Sequence, residues 1–212
     1  MYSTQRCFLI SLILLAITGC SSSGDNPVYY YLIEPTVPIS PVDSTRSAAE
    51  PELSVQIVDL VIPQYLERFQ IITRRPGNQL SFSTGHQWAE SLRKNLSRTL
   101  ARNLSSALGT DNIGSPSNRL ATKPTYRLSV FLEKFERDEA MVTQLVARWQ
   151  LMQVQATDES PNALSVTHTT RLSGTTRAND YPSVVRDLSE LFANLSVEIS
   201  AAIKQLEVTD SP

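Results

Sequence analysis

The chain has 212 residues, with 19 Lys and Arg against 21 Asp and Glu, 41% apolar residues and a net charge of −2. This is a globular composition, neither disordered nor coiled-coil, and it excludes a basic nucleic-acid binder, which would show a pI above about 9. The only cysteines are Cys7 and Cys20, so the body of the chain offers neither a disulfide nor a thiolate metal site. The length suits one domain with a tail.

Met1–Arg6 carries one positive charge and no negative one, and an apolar run from Cys7 to Ile17 follows. A charged start, a short apolar stretch and small residues after it form the layout of a secretory signal. The run is shorter than the roughly 20 apolar residues that a membrane-spanning helix needs. It ends in Ile17-Thr18-Gly19-Cys20, which resembles the bacterial lipobox. The resemblance implies that Met1–Gly19 is cleaved and that Cys20 is the lipid-attachment residue, its thiol taking a diacylglycerol and its new amine a further acyl chain. Each buried CH₂ contributes about 0.8 kcal/mol, and two chains already anchor stably. The plain alternative is an ordinary cleaved signal with a chance cysteine. Ser21 follows Cys20; in enterobacterial-type sorting Asp there retains a lipoprotein at the inner membrane, so Ser21 points to the outer membrane.

Residues 21–27 read as a flexible tether, and Val28-Tyr29-Tyr30-Tyr31-Leu32-Ile33 has high strand propensity. Glu34–Pro51, with Pro35, Pro38, Pro41 and Pro51 among Ser, Thr and Ala, builds no core and reads as an extended linker. The aromatic strand is thereby isolated in sequence. It pairs either in the sheet of its own domain or with a neighbour, because a lone strand leaves its backbone unsatisfied.

The domain is expected from Leu53. Residues 53–62 form a strand stopped by Pro63, and residues 69–74 and 79–83 form two more around the hairpin signal Pro76-Gly77-Asn78. Gln87–Leu108 is the strongest helix: Trp88, Leu92, Leu96, Leu100, Leu104 and Leu108 recur every four residues. Thr84 with Gln87 offers a capping box at its start, and Gly109 stands where a helix-terminating glycine belongs. A loop over 110–124 leads to strands at 126–137, 141–154 and 164–172, the last after the turn 158–162. A helix over 181–206 closes the chain, with Pro182 in its first turn, where proline is tolerated. The expected fold is α+β: one mostly antiparallel sheet with two long amphipathic helices on one face. The divisions are 1–19 signal peptide, 20–52 lipidated tether with the aromatic strand and Pro-rich linker, and 53–208 the α+β domain.

Chemistry is hard to find in this chain. The two histidines, His86 and His168, stand on different elements, one at a helix start and one in mid-strand, and read as structural. There is no G-x-S-x-G, phosphate loop or zinc signature. Glu133 and Glu136 fall on opposite faces of a period-2 strand, so they form no acid–base pair. The sequons at Asn95, Asn103 and Asn194 lie within helices and carry no meaning for a bacterial lipoprotein. No catalytic residue, cofactor site or metal site is expected, and the chain does not read as an enzyme. Arg93, Lys94, Arg98 and Arg102 form a basic stripe; it reads as a solvated face opposite the leucines, with an anionic surface as the functional alternative. Arg74-Arg75 reads the same way, and Trp88 and Trp149 read as core.

Several of these pieces occur in a telling order: the lipobox, Tyr29-Tyr30-Tyr31-Leu32, the stretch from Val55 to Ile71 with Val61-Ile62-Pro63-Gln64-Tyr65 at its centre, His86-Gln87-Trp88-Ala89-Glu90, Ala147-Arg148-Trp149, and a final helix opened by Tyr181. Together they resemble the ABC-type transport auxiliary lipoprotein family over nearly the whole mature chain. Departures are Ser91, where many members have proline, and the Pro-rich insert. The resemblance implies an outer-membrane lipoprotein, held on the periplasmic face by acyl chains on Cys20. It would be a non-enzymatic docking component of an intermembrane lipid-transport system, partnered by a periplasmic MCE-domain protein and an inner-membrane permease. A homo-oligomer is a further implication, and no nucleic acid is involved. Two other functions stay open: a lipid-binding carrier with its own cavity, and a regulator of a periplasmic cell-envelope enzyme.

Overall fold

The computed structural model describes residues 27–38, 53–154, 164–176 and 180–210. The signal segment, Cys20, most of the Pro-rich linker and the turn expected at 158–162 lie outside the described residues. In chain order the elements are β1 (Tyr29–Tyr31), β2 (Val55–Val61), a 3₁₀ turn (Gln64–Leu66), β3 (Gln70–Arg75), β4 (Gln79–Trp88), α1 (Leu92–Leu108), β5 (Ile113–Gly114), β6 (Tyr126–Asp138), β7 (Val142–Gln153), β8 (Ser165–Thr175) and α2 (Tyr181–Asp210).

These form an α+β fold around one eight-stranded mixed sheet. The long ladders, β6 with β7 and β7 with β8, are antiparallel, as is the β3–β4 hairpin. Pro76-Gly77-Asn78 turns that hairpin, and Gly77 and Asn78 both take positive φ, 70° and 63°, the backbone that glycine and asparagine tolerate best. The shorter pairings are parallel: β1 with β4, β2 with β5, and both β2 and β3 with β6. Parallel neighbours require a crossover, and between β2 and β6 the chain runs through the β3–β4 hairpin and α1. β6 is therefore the axis of the sheet. One of its edges is shared by β2 and β3, and β7 and β8 continue from the other.

Both helices cover the same sheet face. Leu92, Leu96, Leu100 and Leu104 of α1 and Val184, Leu188, Phe192, Leu195, Ile199 and Ile203 of α2 join one buried cluster with Val55, Ile57, Leu128, Val130, Leu145, Trp149 and Leu151 of the strands. Period-2 alternation on β7 sends Leu145, Ala147, Trp149 and Leu151 inward, while Arg148 and Gln150 stay exposed. In β6 the register slips between Leu132 and Lys134, a bulge that resets the phase. Phe135 then turns inward and meets Phe192 edge-to-face, ring centroids 6.0 Å apart.

One boundary differs from expectation. Residues 84–88 belong to β4, and α1 begins at Leu92, so Thr84 and Gln87 form no capping box. Trp88 continues the four-residue period of the leucines, but the backbone of 86–88 is claimed by β1 on one side and by Phe69 and Gln70 on the other. Ser91 stands at the helix N-cap without a side-chain bond, and Gly109 ends α1 in the left-handed conformation, φ 66°. A second difference is β5, a two-residue strand inside the expected loop.

Candidate functional site

Cys20 lies outside the described residues; what the structure shows is how the chain that follows it is fastened. Tyr29, Tyr30 and Tyr31 pair in parallel with His86, Gln87 and Trp88, so the aromatic strand belongs to its own domain's sheet. Alternation puts Tyr29 and Tyr31 on one side of β1, and both reach His86. The imidazole is stacked between Tyr29, at 5.4 Å and 17°, and Tyr181 of α2, at 3.9 Å and 14°. The Tyr31 hydroxyl is 2.8 Å from His86 Nδ1. The Arg137 guanidinium lies 5.2 Å from the Tyr181 ring centroid, within the range of a cation–π contact. Burial pushes the His86 imidazole below its usual range and the Tyr31 phenol above its own, with Tyr29 and Asp180 adding to the latter. His86 is thus a strand residue in an aromatic stack, and the reading at a helix start is corrected.

Beyond β1 the chain is clamped by α1. Asn95 is buried, its Oδ1 accepts the Ile33 amide at 2.7 Å, and its Nδ2 donates to the Ile33 carbonyl at 3.0 Å. The Thr99 hydroxyl donates to the same carbonyl at 2.9 Å. One asparagine side chain therefore copies a strand neighbour, satisfying a backbone amide and carbonyl that burial would otherwise leave costly. Ile33 itself is buried in the core. The Glu34 amide reaches Ser189 of α2 at 3.4 Å. Any pull on the amino-terminal side of Pro27 is consequently taken up by β4, α1 and α2 together.

The other expected residues fall apart into structural roles. Glu136 is buried and forms an ion pair with Arg74. The bulge puts it beside Tyr65, whose phenol is pushed up to about 12 by burial first and by the Glu136 carboxylate next. Glu133 is exposed, and strict alternation across the two glutamates is broken by the bulge. His168 Nε2 lies 3.1 Å from Glu198, and the same carboxylate accepts the Thr170 hydroxyl at 2.8 Å. The Trp149 indole N–H donates to Thr170 at 3.0 Å. Activating a hydroxyl nucleophile needs the imidazole between hydroxyl and carboxylate; here the carboxylate stands in the middle, which ties β7, β8 and α2 together without creating a nucleophile. The basic stripe is partly neutralised, Arg98 by Glu90 and Arg93 by Glu67, and Arg75 lies 3.4 Å from Glu139. Sequence reasoning missed Asn95: buried polar residues mid-helix are visible only once their partner is in place. Asn103 behaves alike, donating to Ser196 of α2 at 3.2 Å.

Among the described residues no group of three or more His, Cys, Asp or Glu is placed to hold a metal ion, and no helix is long and apolar enough to cross a membrane. The family model described as ABC-type transport auxiliary lipoprotein component matches residues 31–200. The chain belongs to that family. The match begins at Tyr31, the last residue of β1, takes in the clamped Ile33, and runs to within one turn of Ile203, the last core residue of α2. It is a family of transport components, not of enzymes. Two solved structures share the fold. One, a crystal structure of an uncharacterized protein, is 19% identical with a TM-score of 0.65, covering 84% of this chain and 99% of that one. The other, protein XCC0632 from Xanthomonas campestris, is 15% identical with a TM-score of 0.55, covering 85% and 100%. No curated protein matches the chain at a significant level.

Proposed function

We propose that this auxiliary lipoprotein is acylated at Cys20, held on the periplasmic face of the outer membrane, and serves there as a non-enzymatic docking component of an intermembrane lipid-transport system. The family match over 31–200 carries the reading; Ile17-Thr18-Gly19-Cys20-Ser21 supplies the anchor and its address. Its partners are a periplasmic MCE-domain protein and the inner-membrane permease behind it. The domain's interior is filled by its own side chains, with Leu96, Leu100, Leu104, Leu128 and Leu145 wholly buried. That favours docking over a carrier with its own lipid cavity. Neither of two clefts among the described residues resembles an apolar lipid cavity: one of about 450 Å³ opens between Pro35, Val37, Arg102 and Asp111, and another of about 460 Å³ is lined largely by polar groups of β8 and α2.

Homo-oligomerisation fits this reading through β8. Among the described residues β1 pairs only with β4 and β8 only with β7; β8, with 11 residues against 3, is the longer free edge, and a long free edge is a template for another chain. Mass spectrometry of the purified native protein is expected to find a diacylglyceryl group on Cys20, and crosslinking in cells to capture an MCE-domain protein. An unmodified amino terminus, with protein recovered without detergent, overturns the anchor. Capture of a cell-wall synthase in place of the MCE protein overturns the transport role.

A further inference from the structure

The exposed large apolar side chains are unevenly spread. Val28, Tyr29, Tyr30, Phe69 and Phe82 all lie at one corner of the sheet, with Tyr29 53%, Tyr30 64% and Phe69 55% exposed. The pairing explains the clustering. Tyr30 faces Gln87, which faces Gln70, while Phe82 faces Ile72, two residues further along β3. The Phe69 carbonyl accepts the Trp88 amide at 2.7 Å, which puts Phe69 one strand away from Tyr31. Arg68 lies 5.2 Å from the Phe82 ring centroid and makes no ion pair among the described residues. The corner therefore carries two phenylalanine rings, two tyrosine rings with polar hydroxyls, a valine, and an arginine with its charge unspent.

The chain also leaves the domain at this corner. Six residues separate Cys20 from Pro27, and even fully extended that stretch reaches no more than about 25 Å. A domain fastened at β1 is thus held within that distance of Cys20, and the corner next to Pro27 is the part of it nearest the tether. Tyrosine is enriched at headgroup depth because its ring is apolar and its hydroxyl wet, and arginine is attracted by anionic lipid.

We propose that this corner, Val28–Tyr30 with Phe69, Phe82 and Arg68, is a second, non-covalent membrane contact that seats the domain on an anionic phospholipid surface in one orientation. It rests on the reading that Cys20 is acylated. The long axis of the sheet would then point β8 and the β6 amino-terminal end away from the bilayer, towards the periplasm.

The test uses the acylated full-length protein, whose mature form has no free thiol once Cys20 is modified. Tyr30→Cys, and separately Val28→Cys, is labelled with an environment-sensitive fluorophore. Leu164→Cys, at an exposed position beside the β7 end and diagonally across the sheet, is the control. Each is reconstituted into vesicles of phosphatidylethanolamine and phosphatidylglycerol. The expected result is blue-shifted emission at 28 and 30, quenched by lipids brominated in the acyl chain, with the label at 164 unchanged. Vesicle-bound protein whose labels at 28 and 30 behave like that at 164 overturns the proposal while leaving the anchor intact. A shift that instead appears without vesicles and grows with protein concentration overturns it in favour of a second copy on this corner. Protein without acyl mass that fails to float with vesicles removes the anchor reading and this proposal with it.

Discussion

Asn95 shows at the residue scale how much one side chain can decide. Its amide stands in for a strand and holds Ile33 by both backbone groups, so Asn95→Ala leaves a buried N–H without a partner. The expected cost is about 1–3 kcal/mol, read as a lower urea midpoint, with faster hydrogen exchange at the Ile33 amide than at residues of β7. His86 carries a pH dependence. Its folded pKa is depressed by burial, so the neutral ring is the one the fold favours, and its contribution is complete above the unfolded value of 6.5 and lost as pH falls below it. Acid titration of stability should therefore show a loss beginning below that value, and His86→Phe, which keeps a stacking ring between Tyr29 and Tyr181, should remove that part of the loss. Tyr65 works at the other end of the scale. Its folded pKa is raised from 10.0 to about 12, so its contribution is full below pH 10 and disappears as pH rises through about 12. In urea denaturation across that window, Tyr65→Phe should show a shallower decline than the wild type. The roles of these residues were not legible beforehand, because a histidine or asparagine takes its meaning from whatever packs on it, and the partners that decide here, Tyr31 for His86 and Ile33 for Asn95, lie more than fifty positions away in the chain.

At the scale of elements, periodicity was a good guide to faces and a poor one to ends. The leucines of α1 recur every four residues and all of them from Leu92 to Leu104 are buried. The apolar spacing of α2 likewise matches its buried side. Trp88 fits the same helical rhythm but lies in β4, since a tryptophan that must be buried can be buried from either structure and the backbone takes the one that satisfies its hydrogen bonds. Gly109 was readable as a terminator because only a residue without Cβ adopts φ 66° at no cost. Gly109→Val should destabilise the domain by about 1–2 kcal/mol, measured as a lower thermal midpoint. The bulge in β6 had no sequence signal; it turns Phe135 inward and leaves Glu136 to pair with Arg74 beside Tyr65.

For the whole molecule, the proposed anchor and the domain are expected to be separable. Cys20 precedes the family-matched residues 31–200, so on that proposal Cys20→Ser should move the protein from the membrane fraction to the soluble periplasm in cell fractionation. The thermal midpoint of the purified chain should stay within error of the acylated form in detergent. The clamp at Ile33 and the aromatic stack at His86 join the amino-terminal end of the described chain to both helices, which would suit the docking role proposed above.

Composition, the apolar periods and the order of a few short motifs were enough to read an α+β domain of a transport-lipoprotein family, because face-to-core patterns are local and survive in the linear order of residues. They could not reveal that the tyrosines of β1 close on β4 across fifty-odd intervening residues, that the sheet is mixed around β6, or that exposed aromatics gather around β1. Those features come from contacts between distant segments, whose energies depend on register, burial and competing partners, and none of these exists until the core has formed.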